Sequence, residues 1–141
     1  MKRYTSLISC ALMLAGGLTG CKNDDITPAV GGLAGTWQLA DRQCFCRPTP
    51  LPDETIVFTA TDFTQYENGT LTNQGTYTIG TPTLCGLAAS APGLIFQITT
   101  PASHSYGATY SIVGDKLILD YGSPCDGPRN TYTRKAPQKR P

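Results

Sequence analysis

Between Thr36 and Lys135 apolar residues recur at every second position. Trp37 and Leu39, Ile56 and Phe58, Leu94, Phe96 and Ile98, and Leu117, Leu119 and Tyr121 each share a parity, with mainly polar residues between them. Successive side chains of a strand point to opposite faces, so this pattern builds half-buried strands and not amphipathic helices, whose period is 3.6. Thr and Tyr are frequent in these runs, and both suit a pleated, half-buried surface. The pattern predicts eight strands, at 36–43, 54–60, 62–67, 70–79, 94–100, 106–113, 116–121 and 129–135.

The punctuation between the runs selects antiparallel hairpins. Asn68-Gly69 is a strong two-residue turn signal, because a type I′ turn needs φ > 0 at both central residues. Gly114-Asp115 is a second two-residue turn, of the Gly-first kind. Eight short strands joined in sequence form a meander, and closure removes the two edges a meander would otherwise expose. The expected fold class is therefore all-β, an up-and-down antiparallel β-barrel. Its inward parity carries Trp37, Leu39, Phe58, Tyr77, Phe96, Tyr110 and Leu119. An eight-stranded barrel is just wide enough to be filled by side chains or to hold one small ligand. These residues make either a pocket for a small hydrophobic molecule or a core, and the small size of the domain favours the core.

The stretch Gly32-Leu33-Ala34-Gly35-Thr36-Trp37-Gln38-Leu39 resembles the opening of lipocalin-type barrels, in which a Gly-x-Trp begins the first strand. "GTYTI" at 75–79, "YSIVGDKLILD" at 110–120 and "TYTRK" at 131–135 resemble the small lipocalin-like domains of bacterial lipoproteins. The resemblance implies a Trp that closes the barrel floor, a basic residue of the last strand (Arg134 or Arg129) packed over it, and a small hydrophobic ligand.

The N-terminus gives the chain an address. Met1-Lys2-Arg3 precedes an apolar run, Leu7 to Leu18, and no further charge occurs until Lys22. That is the anatomy of a secretory signal, and dilution by Ser, Cys, Gly and Thr makes the run marginal as the alternative, a membrane-spanning anchor. Leu18-Thr19-Gly20-Cys21 resembles the bacterial lipoprotein box, which implies cleavage before Cys21 and acylation (palmitate) of its thiol. Asn23-Asp24-Asp25 resembles an acidic surface-export tag. The expected organisation is a lipoprotein signal peptide at 1–20, a lipidated tether at 21–34, the barrel domain at 35–135 and a disordered basic tail at 136–141, in a protein held at the outer membrane or cell surface through the lipid on Cys21. Loss of Lys2 and Arg3 lowers the basic residues from eleven to nine against ten acidic ones, a formal −1, which leaves no footprint for nucleic acid.

Cys10 leaves with the signal and Cys21 carries lipid, so Cys44, Cys46, Cys85 and Cys125 remain. In an exported domain four Cys read as two disulfides, and their spacing is wrong for a zinc site. First and last strands of the barrel are neighbours, so Cys44 or Cys46 is expected to meet Cys125 and the other to meet Cys85. A direct Cys44–Cys46 bond is disfavoured, because an extended i, i+2 pair lies at or beyond disulfide reach. The strand count puts Cys85 at the opposite barrel end, so either the 80–93 loop folds back or the count errs by one strand.

No catalytic constellation stands out, no metal site has ligand spacing, and no cofactor motif occurs. The single His, His104, lies in a loop with Ser103 and Ser105 beside it only in sequence. The protein is therefore expected not to be an enzyme. The expected function is binding of a small hydrophobic ligand in the barrel. The alternative is a protein-binding or inhibitor module of the cell envelope, acting through the proline-stiffened loop 44–53 and the long loop 80–93.

Overall fold

The computed structural model describes residues 32–47, 49–88 and 91–136. The expected signal peptide, Cys21 with its tether up to residue 31, and the basic tail from residue 137 lie outside the described residues. Eight antiparallel strands follow one another around a closed barrel. They are β1 Gly35–Gln43, β2 Glu54–Phe58, β3 Asp62–Glu67, β4 Thr70–Gly80, β5 Gly93–Thr100, β6 His104–Val113, β7 Lys116–Asp120 and β8 Arg129–Arg134. Each expected run is a strand, with ends within two residues of those expected. The barrel is sealed by β8 pairing with β1, so every strand has a neighbour on both sides and no edge is left open.

The turns obey their residues. Asn68 and Gly69 take φ of 50° and 76°, as the type I′ turn between β3 and β4 demands, and Gly114 takes 62° in the β6–β7 turn.

Trp37 sits near the start of β1 and is fully buried. Its indole Nε1 donates to the Leu33 carbonyl at 2.8 Å, which folds the chain before β1 beneath the barrel. Arg134, its partner on β8, lies 4.0 Å above the ring centroid. The Arg134 guanidinium also donates to the carbonyls of Ala34 and Gly32, so it satisfies backbone oxygens that would otherwise be left at this lower end. Of the two basic residues proposed for this place, Arg129 pairs with Gln43 and Asp120 at the other end.

The strands are strongly staggered. Gly80, Gly93, Thr109, Asp120, Arg129 and Gln43 lie on one continuous rung running from the end of β4 to the end of β1. The loop after β4 thus starts on the same rung as the ends of β7 and β1, although counting strands assigns it to the opposite end of the barrel. Tilted strands are a requirement of barrel closure, and tilt is invisible to a strand count.

Candidate functional site

The seven residues expected to line a ligand site do face the interior. Trp37, Leu39, Phe58, Tyr77, Phe96 and Leu119 are buried, and Tyr110 is half-buried against them. They touch one another across the barrel. The ring of Phe58 on β2 lies 6.2 Å from that of Phe96 on β5, and Phe63 lies 4.9 Å from Phe96, edge to face. Tyr77 packs edge-on against Phe58 at 5.2 Å, and its hydroxyl donates to the Thr59 carbonyl at 2.7 Å. At this level the middle of the barrel is occupied by side chains from opposite walls.

Above this aromatic layer lies a polar cluster that the reading of the sequence missed. Glu54, at the start of β2, is only 2% exposed. Its Oε2 accepts from Arg42 Nη2 at 2.6 Å and its Oε1 accepts from the Tyr132 hydroxyl at 2.5 Å. Asn130 closes the ring: its Nδ2 donates to the Tyr132 oxygen at 3.1 Å, and its Oδ1 accepts from Arg42 Nε at 2.9 Å. Four side chains from β1, β2 and β8 therefore form one closed hydrogen-bonded circuit. Among the described residues no buried side-chain nitrogen or oxygen lacks a partner.

Glu54 was legible in principle, since it shares the parity of Ile56 and Phe58 and so had to point inward. Arg42 was not. A bulge between Leu39 and Asp41 places an extra residue on β1, which reverses the alternation and turns Arg42 inward opposite Asn130.

Tyrosines crowd the same region. Tyr106 stacks on Phe96 at 4.8 Å and lies 5.9 Å from Tyr121. Burial, with the negative charge of Glu54 adding to it, pushes the Tyr106 phenol up to about 12. Tyr121 and Tyr132 are held well above the usual phenol range, again chiefly by burial. All three stay protonated at neutral pH, and the Tyr132 hydroxyl is the one that donates to the Glu54 carboxylate.

Arg42 of this cluster also lines a cleft of about 280 Å³ whose other walls come from the loop after β1, among them Cys44, Cys46, Arg47, Leu51 and Pro52. Phe45 projects from this loop at 90% exposure, and Leu51 is 45% exposed. A second depression, about 410 Å³, lies around the β4–β5 bulge at Gln74 and Gly75, but it is more open and Asp62 is the one ionisable group lining it.

The disulfides depart from the expected pairing. Cys44 bonds Cys46, and Cys85 bonds Cys125. The first bond is possible because the chain bends at Phe45 and Cys46, which brings the two Cα atoms to 5.2 Å, well short of the roughly 7 Å of an extended pair. The second follows from the stagger and from loop 81–92 folding back, one of the two alternatives left open. Pro82 is buried over the outward positions Gly93 and Gly107, where a Cβ atom would overlap its ring. Only β6 then separates this loop from the 3-10 turn Ser123–Cys125. Gly86 packs on Pro124 and Gly122 lies under Cys85, so the two loops form one braced layer.

The two bridges differ in what they do for stability. In the chain-entropy model a bridge with a separation of 40 contributes about 4 kcal/mol, while one with a separation of 2 contributes about 1.6 kcal/mol.

His104 is exposed, and its Nδ1 faces the Ala102 carbonyl at 2.9 Å, with neither neighbouring serine hydrogen-bonded to the ring. Among the described residues no group of three or more His, Cys, Asp or Glu side chains is placed to hold a metal ion.

No protein-family model matches the chain, and no curated protein or solved structure is significantly similar to it.

Proposed function

We propose that the protein is a bacterial envelope lipoprotein of the outer membrane or cell surface, anchored through Cys21, whose lipocalin-like barrel is a rigid scaffold for loops that bind another envelope protein. The observation that carries this reading is the contact of Phe58 with Phe96 across the barrel, which leaves the interior to side chains and the chemistry to the upper end. The chain before β1 reaches the barrel at its lower end, beside Arg134. The cleft, Phe45 and Leu51 lie at the opposite, upper end. Exposed aromatic and aliphatic anchors on a stiff loop are the kind of group that dominates binding energy at interfaces, because little conformational freedom is lost on contact.

The test is a photo-crosslinking amino acid placed at position 45 in living cells. The expected result is one discrete adduct that disappears in the Leu51→Asp variant, together with fatty-acid labelling that disappears in Cys21→Ser. A small hydrophobic ligand among Trp37, Leu39, Phe58, Tyr77, Phe96, Tyr110 and Leu119 is the second reading, and it requires the aromatic contacts in the barrel to part. Native mass spectrometry showing a bound small molecule, with no adduct at position 45, would replace the first reading by the second.

A further inference from the structure

The Cys44–Cys46 bridge closes a ring of three residues and joins no two parts of the fold, so holding the barrel together is not its purpose. It stands instead at the rim of the cleft. Cys46 is exposed, Cys44 is half-buried, and Phe45 between them is the most exposed large apolar side chain among the described residues. Two cationic side chains, Arg42 and Arg47, line the same cleft. The other bridge is also exposed at both cysteines, but it differs in span and in charged surroundings. It links two loops 40 residues apart, its sulfur is packed near Gly86, and the ionisable neighbour in sequence is Asp126, whose negative charge opposes a thiolate.

From this contrast we infer that Cys44–Cys46 is a thiol–disulfide exchange site, taking as its substrate a thiol-bearing polypeptide segment laid in the cleft. A thiolate of that segment attacks Sγ of Cys46, the more accessible sulfur. The Cys44–Cys46 bond breaks, and Cys44 departs as a thiolate in the cleft lined by Arg47 and by Arg42, the latter already paired with Glu54; a cationic lining favours the negative charge. A second thiolate of the segment then attacks the mixed disulfide and releases Cys46. Two electrons pass to the protein, which ends as the dithiol, and the segment ends with one disulfide. Each molecule delivers one disulfide, a two-electron oxidation, and Phe45 offers the segment an apolar surface beside the reacting sulfurs. This step goes beyond the binding role proposed above and uses the same cleft.

The experiment exposes the full chain to glutathione buffers of increasing reducing strength, quenches with an alkylating agent and maps the cysteines by peptide mass spectrometry. Cys44 and Cys46 are expected to be alkylated together while Cys85–Cys125 stays bonded and the far-UV circular dichroism is unchanged. In Cys44→Ser, glutathione is expected to remain attached to Cys46, because the resolving thiol is gone. The oxidised chain is also expected to convert a reduced two-cysteine peptide to its disulfide in a one-to-one ratio, and the Cys44→Ser, Cys46→Ser double variant not to do so. The inference is overturned if Cys44–Cys46 resists glutathione until the barrel unfolds, if both bridges are reduced together, or if the peptide stays reduced. Exchange that survives while the adduct at position 45 is absent would sink the binding role alone. An adduct without exchange would sink this inference alone.

Discussion

The Tyr132 hydroxyl donates to Glu54 at 2.5 Å, from β8 to β2 across the intervening β1. That bond crosses the seam where the barrel closes, since β1 is the only strand between its donors and acceptors. A carboxylate buried this deeply is tolerable only because Arg42 and Tyr132 both direct protons at it.

Removing the carboxylate strands a half-buried guanidinium. Glu54→Ala is expected to cost about 3 to 5 kcal/mol, the range for breaking one side of a buried ion pair. Tyr132→Phe keeps the ion pair and loses two hydrogen bonds: the one to the Glu54 carboxylate, about 1.5 to 3 kcal/mol, and the neutral one accepted from Asn130, about 0.5 to 1.5 kcal/mol. Urea unfolding of both variants checks the order; a Glu54→Ala protein as stable as Tyr132→Phe would contradict the circuit.

The buried phenols make the barrel sensitive to alkali. Tyr106 keeps its proton in the folded state up to about 12, whereas the unfolded chain loses it near 10. The folded state therefore holds a proton that the unfolded state has lost, and stability falls as pH rises between these values. The contribution, present in full below pH 10, is up to roughly 3 kcal/mol. Denaturant midpoints followed through this window are expected to drop, and to drop less in Tyr106→Phe. A flat profile in the parent protein would refute the assignment.

Loop 81–92 reaches Cys125 over two glycines. A side chain at position 107 would occupy the place of Pro82, so Gly107→Val is expected to lift the loop and destabilise the fold by about 1 to 3 kcal/mol. Limited proteolysis should then cut within 81–92, where the parent resists. Gly69→Ala, with open space around its Cβ, tests the other case: its cost should come from the backbone φ of 76° and leave loop 81–92 uncut.

The two bridges should separate cleanly in stability measurements. Cys85→Ser with Cys125→Ser is expected to lose about 4 kcal/mol, and Cys44→Ser with Cys46→Ser no more than about 1.6 kcal/mol. Thermal unfolding of the two double variants decides this, and equal losses would count against the short bridge being structurally dispensable.

At the acid side, burial alone would raise the Asp120 carboxyl, but hydrogen bonds from Ser123 and Gly122 and the charge of Arg129 hold it below the ordinary value. Its contribution is thus present above the unfolded pKa and lost as pH falls through the lower folded one. Asp120→Ala is expected to remove that loss and to loosen loop 121–128, read as faster amide exchange at Gly122 and Ser123.

Local pattern determined a great deal here. Side-chain alternation and the turn residues Asn68-Gly69 and Gly114 are short-range signals, and they were enough for eight strands, their order and the closed barrel. Trp37, on the inward parity, is likewise buried near the start of β1. The disulfide partners and the polar cluster were settled only by tertiary structure. The stagger that sets Gly80 on one rung with Asp120 accumulates over several strands, whereas the bulge after Leu39 that turns Arg42 inward and the bend at Phe45 that brings Cys44 to Cys46 are single departures from alternation. A parity rule carries no memory of tilt or of one inserted residue, so it assigned the strands correctly and the meeting points of their ends incorrectly.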